Sequence, residues 1–291
     1  YDVYDIAEKI YGLDAAYNGE TGIECFDEWV TELRTTGYLH NHARMWFASI
    51  WIFTLRLPWQ VGADFFLRHL FDGDPAANTL SWRWVAGLQT VGKHYVATAD
   101  NIALFTNGRF ERPTLTLRPA AVDGVAHPDP ISIVPMQPLP KGRYALLLTE
   151  EDMYPVDALQ TGIEIAGVAA FDAIQPSAPN VADFRGAALR NAADDVSVHF
   201  GVDAKLVDEW DAMELAIWAK KCGVSDIVTA EAPVGFVAPK LQKLVDELQS
   251  HDVRLHYVRR RWDDLCWPHA HKGFFAFKEK IPAFIQDLAL A

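Results

Sequence analysis

Seven prolines fall between residues 111 and 142: Pro113, Pro119, Pro128, Pro130, Pro135, Pro138 and Pro140. Each lacks a backbone N–H and fixes φ, so no helix interior or central strand can run through the stretch. It reads as an extended, fairly stiff linker. The two sides of it use different patterns. Before residue 110, apolar residues recur at helical spacing: Phe26, Trp29, Val30 and Leu33 fall at i, i+3, i+4 and i+7, and Gly37 stands where a helix C-cap would. A second helix is expected from about Leu39 to Leu57, stopped by Pro58. A third is expected over Val61 to Phe71, broken by "DGDPAAN" (72–78). After residue 142, short β-rich runs (143–149, 163–171, 226–231 and 253–258) alternate with helical stretches near 181–195, 208–222 and 236–250. Buried strands separated by helices imply a parallel sheet covered on both faces. The expected architecture is an all-α domain (1–110), a Pro-rich linker (111–142) and a Rossmann-like α/β domain with a parallel sheet (143–291).

Half of the 291 residues are hydrophobic and 12% are aromatic, enough to bury a real core. No apolar run reaches the roughly 20 residues that span a bilayer. The longest, around Trp46 to Leu57, is interrupted by Ser49 and Arg56, so no membrane partner is expected. A net charge of −13 argues against binding nucleic acid by bulk electrostatics and leaves room only for a local basic face. Cys25, Cys222 and Cys266 are odd in number and far apart, which reads as a reduced, cytoplasmic protein. The chain opens at Tyr1 rather than Met, which predicts a processed chain or a fragment.

Three motifs bear on chemistry. "GLQTVGKH" (87–94) approaches a phosphate loop, but His94 stands where a hydroxyl would meet Mg²⁺, and no clean strand precedes it. No G-x-G-x-x-G marks a dinucleotide fingerprint in the α/β half, and no G-x-S-x-G is present. "CWPHAH" (266–271) offers Cys266, His269 and His271 but no fourth ligand for a closed zinc site, so no metal is expected. The aromatic-rich stretch 37–84 is more informative. Packing alone accounts for Trp46, Phe47, Ile50 and Trp51. It does not account for Asn41, Arg44, Asp72, Asp74 and Asn78 among them, because buried charges persist when paired or when they hold a ligand. Two Asp, one Arg and two Asn suit the edge of a polar heterocycle: Asp accepts, Asn does both, and Arg balances charge.

"TGIECFDEWVTELRTTGYLHNHARM" (21–45) and "PWQVGADFFLRHLFDGDPAANTLSWRW" (58–84) resemble the FAD-binding domain of the photolyase/cryptochrome family. The likeness spans about residues 15 to 110, with T-G-x-x-x-x-D, G-[WY]-x-H-N-x-x-R-M and D-[GA]-D-x-x-x-N in order. Residues 143–291 are similar, more faintly, to the light-harvesting α/β domain that photolyases carry at the N-terminus, so the domain order is swapped. The resemblance implies FAD, with Asn41 and Arg44 beside the flavin. Asp72 and Asp74 would contact the isoalloxazine edge and the sugar or adenine side, and Asn78 would face N5. It further implies that Trp82 and Trp59 belong to a tryptophan chain feeding electrons to the photoexcited flavin. Met45 and Trp84 would line a pocket for a flipped pyrimidine dimer, with His42, Arg83 and Lys93 nearest it as DNA contacts. Two departures stand out: no Trp lies near Ile6, where a third chain member belongs, and the segment that holds the pyrophosphate in the family would precede residue 1. Enzymes of the family that repair (6-4) photoproducts place two His where this chain has Asn41 and Met45, so the cyclobutane-dimer type is the closer match. The expected activity is light-driven repair of UV-damaged DNA by a lyase. A blue-light signalling flavoprotein, or a non-catalytic fragment without flavin, stands as the alternative. Any antenna chromophore is undefined, and a dimer or a missing N-terminal segment could complete the site.

Overall fold

The structure, a computed structural model, describes residues 10–110, 131–172, 177–207, 211–271 and 273–289, together with 113–116, 119–122, 124 and 129. The expectation at Ile6 lies outside them. The chain divides into two compact units, Tyr1–Ala126 with Gln175–Phe184 and His127–Ile174 with Arg185–Ala291.

The first unit is helical: α1 (Leu13–Asn18), α2 (Glu24–Thr36), α3 (Asn41–Ser49), α4 (Trp59–His69), α5 (Pro75–Val85) and α6 (Ala99–Phe105). Asp27 fixes the entry to α2, its carboxylate accepting from Thr21 N at 3.0 Å, Thr21 Oγ1 at 2.6 Å and Gly22 N at 2.9 Å. The T-G-x-x-x-x-D spacing is therefore a local tie. Gly37 ends α2 in the left-handed region (φ 68°), as its spacing predicts, and the ring of Phe71 fills the space a Cβ would need. The helix expected over 39–57 behaves differently. After Ser49 it widens into a π-turn, Ile50–Thr54, and Arg56 then takes a left-handed φ of 56° before Pro58. Trp46 to Phe53 are all buried, so the segment is enclosed on every side rather than on one face. Trp51, Phe26, Phe47 and Leu33 are fully enclosed, each worth about 1.5–3 kcal/mol of apolar burial.

The second unit holds β1 (Gly142–Thr149), β2 (Ile163–Phe171), β3 (Ala204–Val207), β4 (Asp226–Ala230) and β5 (Arg254–Val258), all parallel in the order β3-β2-β1-β4-β5. Alternate residues of β1 serve opposite faces. Ala145 and Leu147 pack with Leu215 and Trp218 of α8 (Ala212–Lys221) and Leu241 and Leu244 of α9 (Val237–Gln249). Leu146 and Leu148 pack with Leu189, Ala193 and Val196 of α7 (Pro179–Phe200). A strand buried on both faces reads as an unbroken apolar run, as "ALLL" does. The chain ends with α10 (Arg261–Cys266), α11 (Phe274–Lys278) and α12 (Ile281–Ala289). The fold is thus an all-α unit and a Rossmann-like α/β unit. No helix among the described residues is long and apolar enough to cross a membrane.

Candidate functional site

A cavity of about 370 Å³ opens between α3, α5 and the 70–74 turn. Asn41, Arg44, Met45 and Ala48 line it from α3, and Asn78, Ser81, Trp82 and Val85 from α5. The α3 set runs i, i+3, i+4, i+7, a single helix face, whereas α5 presents a broader one, with Ala77 and Leu80 also lining the cavity. Asp72 and Asp74 line it from the turn, and Trp84 also contributes. Eight of the twelve residues singled out from sequence therefore meet in one chamber. The other four, Trp59, His42, Arg83 and Lys93, do not line it. Trp59 borders a second cavity of about 360 Å³ with Arg56 and Gln60, under the Arg83 guanidinium at 5.8 Å from its ring. His42 packs its ring against Trp46 and Phe105.

Several of the lining groups are already held. Arg44 donates from Nη2 to both oxygens of Asp72 at 3.0 Å and from Nε to Leu39 O at 2.8 Å. Asp74 caps α5, its Oδ1 accepting from Ala77 N at 2.5 Å with Pro75 at the first helical position. Asn78 donates from Nδ2 to Ala63 O at 2.7 Å, which anchors the amide to α4 and leaves Oδ1 without a donor among the described residues. Trp82 is 2% exposed and its indole N–H meets no acceptor among the described residues. An unsatisfied buried donor costs about 1–3 kcal/mol unless something else accepts from it. Trp84 is 44% exposed and stacks on Tyr95, with centroids 5.4 Å apart. Burial raises the Tyr95 phenol above its ordinary range, against the opposing effect of Trp46, whose hydrogen bond lowers it.

The other motifs take ordinary places. "GLQTVGKH" follows a helix, runs through turns and leads into no helix before Ala99, so a phosphate-loop geometry does not form; Gly87 is covered by the His94 ring. Of "CWPHAH", Cys266 is buried, His269 stacks on Phe284, and His271 Nδ1 lies 3.0 Å from Pro268 O. No group of three metal donors assembles among the described residues. Sequence reasoning passed over Gly62 and, as more than core, Trp51. A glycine inside a helix costs about 1 kcal/mol against alanine, and that signal of close approach was available at Gly62.

Comparison with known proteins decides what such a chamber belongs to. Residues 4–107 match the family described as the FAD binding domain of DNA photolyase. The helical unit belongs to this family. The photolyase-type domain aligns with the deoxyribodipyrimidine photo-lyase of Streptomyces griseus at 45% identity over 78 residues, 27% of this chain and 17% of the relative. The enzyme of the same name from Thermus thermophilus is 42% identical over 76 residues, 26% of the chain and 18% of the relative. That of Salmonella typhimurium is 36% identical over 88 residues, 30% and 19% respectively. These alignments cover less than a fifth of the relatives' length. No solved structure matches significantly. The cofactor of the photolyase FAD-binding domain is FAD. The chamber suits its ring system: it offers an Asn78 oxygen and apolar walls. Its volume is at the low end of the roughly 300–1,000 Å³ of ligand pockets, enough for a tricyclic ring rather than a whole dinucleotide.

Proposed function

We propose that this chain is a photolyase-type flavoprotein that repairs cyclobutane pyrimidine dimers in DNA by light-driven electron transfer. One observation carries the reading. The residues expected to face flavin (Asn41, Arg44, Asp72, Asp74, Asn78 and Trp82) and those expected to face a flipped dimer (Met45 and Trp84) line the same cavity. Bound FAD supplies the electron on illumination, and the protein sets distance and electrostatics.

Within that reading each side chain has a task. Asn78, fixed by Ala63, presents Oδ1 to an N–H at the edge of a reduced ring. Arg44, neutralised by Asp72, frames the mouth without leaving a bare buried charge. Trp82 fills the back wall and keeps water from the ring. Trp84 gives a flat, half-open face on which an unstacked base can rest, and a damaged base is less costly to extrude. Asn41 and Met45 cannot transfer protons, which favours dimer splitting by electron transfer alone. Three free cysteines accord with a cytoplasmic setting.

The test is a dimer-containing oligonucleotide mixed with the chain and reduced FAD. Loss of dimers under blue light and none in the dark is expected. Flavin binding without dimer loss would favour the signalling alternative, and no flavin binding the non-catalytic one.

A further inference from the structure

Trp82 also faces away from the cavity. Its ring meets Trp51 at 6.2 Å between centroids and 89° between planes, and Trp51 meets Tyr17 at 5.9 Å. Trp82 and Trp51 are enclosed, at 2% and 0% exposure, whereas Tyr17 is partly open to solvent. Indole and phenol are the side chains most readily oxidised by one electron, so these three rings form a redox-capable line from cavity wall to surface. The other rings against Trp82 among the described residues, those of Phe47 and Phe66, are benzene rings and far harder to oxidise.

Local polarity gives the line a direction. An indole that loses an electron becomes a cation with a strongly acidic N–H. Trp82 N–H has no acceptor among the described residues, so a positive charge there is poorly stabilised. Trp51 Nε1 donates to Pro58 O at 2.9 Å, and that hydrogen bond strengthens when the donor is charged. The charge is therefore better placed on Trp51 than on Trp82. At Trp59 the Arg83 guanidinium sits 5.8 Å from the ring, where a second positive charge is repelled rather than attracted.

Resting on the flavin reading above, we propose that Trp51 and Tyr17 complete the electron path from the surface to the cavity, Tyr17 to Trp51 to Trp82, in place of a path through Trp59. Each step moves one electron. Trp82 gives an electron to the light-excited oxidised flavin ring in the cavity, Trp51 refills Trp82, and Tyr17 refills Trp51. Tyr17 releases its phenolic proton to water as it is oxidised. An added thiol then returns a hydrogen atom to the tyrosyl radical and leaves a thiyl radical, two of which couple to a disulfide.

The experiment uses the full chain with saturating oxidised FAD, its binding read by flavin fluorescence, and electron paramagnetic resonance after a blue flash without thiol. A tyrosyl signal is expected in the parent. Tyr17→Phe should lose it and leave a tryptophan radical. Trp51→Phe should lose both the tyrosyl signal and the long-lived charge separation, whereas Trp59→Phe should retain the tyrosyl signal. Near-UV circular dichroism checks that each variant is folded, and Tyr17→Phe alone suffices if Trp51→Phe is not. Bound flavin with no tyrosyl radical in the parent, or a signal that survives Tyr17→Phe, overturns the path. So does loss of the signal in Trp59→Phe but not in Trp51→Phe. If FAD does not bind at all, the flavin reading fails and the path fails with it.

Discussion

Gly62 lets the indoles of Trp82 and Trp51 close on α4: a Cβ there would stand 2.5 Å from Trp82 Cζ3 and 2.9 Å from Trp51 Cε2. One missing methyl group thus seats both the cavity wall and the ring behind it. Gly62→Ala would normally favour a helix, but here overpacking should reverse the sign. A net destabilisation of about 1–3 kcal/mol is expected by denaturant unfolding, with altered near-UV dichroism. A stabilised variant would show that the two indoles do not pack as described.

Arg44 and Asp72 are joined by two contacts, yet Asp72 keeps 60% of its side-chain surface exposed. Water competes with such a pair, so a double-mutant cycle with Arg44→Leu and Asp72→Asn should give a coupling of no more than about 1 kcal/mol in stability. The flavin affinity of either single variant should fall further than its stability does. Coupling above about 3 kcal/mol would mark the pair as a buried structural one instead.

His69 is expected to give the helical unit a pH-dependent stability. Burial lowers its pKa, against the hydrogen bond its Nδ1 makes to Phe65 O at 2.8 Å. The folded chain therefore binds this proton less readily than the unfolded chain. Stability should be complete above the unfolded value of about 6.5 and decline as pH falls below it. Unfolding midpoints measured between about pH 8 and about pH 5 should show that slope, and His69→Gln should flatten it. An unchanged slope would assign the effect elsewhere, though not to Asp226, whose carboxyl titrates at about 3.8 in the unfolded chain and lower in the folded one, below this window. Burial alone would raise Asp226, but hydrogen bonds from Arg254 and His256 hold it below the usual carboxylate range.

Trp82 should be the first donor to a photoexcited flavin. Trp82→Phe is expected to slow or abolish photoreduction while the amount of bound flavin stays the same. Photoreduction at the parent rate would remove Trp82 from the path.

Much of this architecture can be read from the residues, for reasons that differ element by element. Gly37 and the Phe26–Leu33 spacing give α2 and its end because a period and a cap agree. The β1 run "ALLL" gives a doubly buried strand by its unbroken apolarity. Helix α5 was hidden because "DGDPAAN" looks like a breaker, although Asp74 followed by Pro75 is equally an N-cap and first-turn pair. Strand β3 is four residues long and mostly not buried, so alternation could not single it out. The chamber's residues could be named from type and spacing on α3 and α5. The Arg44–Asp72 pair, 28 positions apart, and the Gly62–Trp82–Trp51 contact are products of packing that no local pattern encodes.

The most direct test of the account is a titration of the purified chain with riboflavin and with FAD, read by flavin fluorescence. A chamber built for the ring, with no phosphate loop formed at "GLQTVGKH", should bind both saturably at one site. The affinities should lie within about tenfold of each other, since each charge-assisted phosphate contact would otherwise add roughly 1.5–3 kcal/mol. FAD should accordingly be lost on gel filtration, and Asn78→Leu should weaken both ligands by about tenfold, the worth of one hydrogen bond. Absence of saturable binding, or equal binding by Asn78→Leu, would contradict the flavin chamber. Stoichiometric FAD surviving gel filtration, with riboflavin several orders of magnitude weaker, would contradict the claim that the ring alone is held.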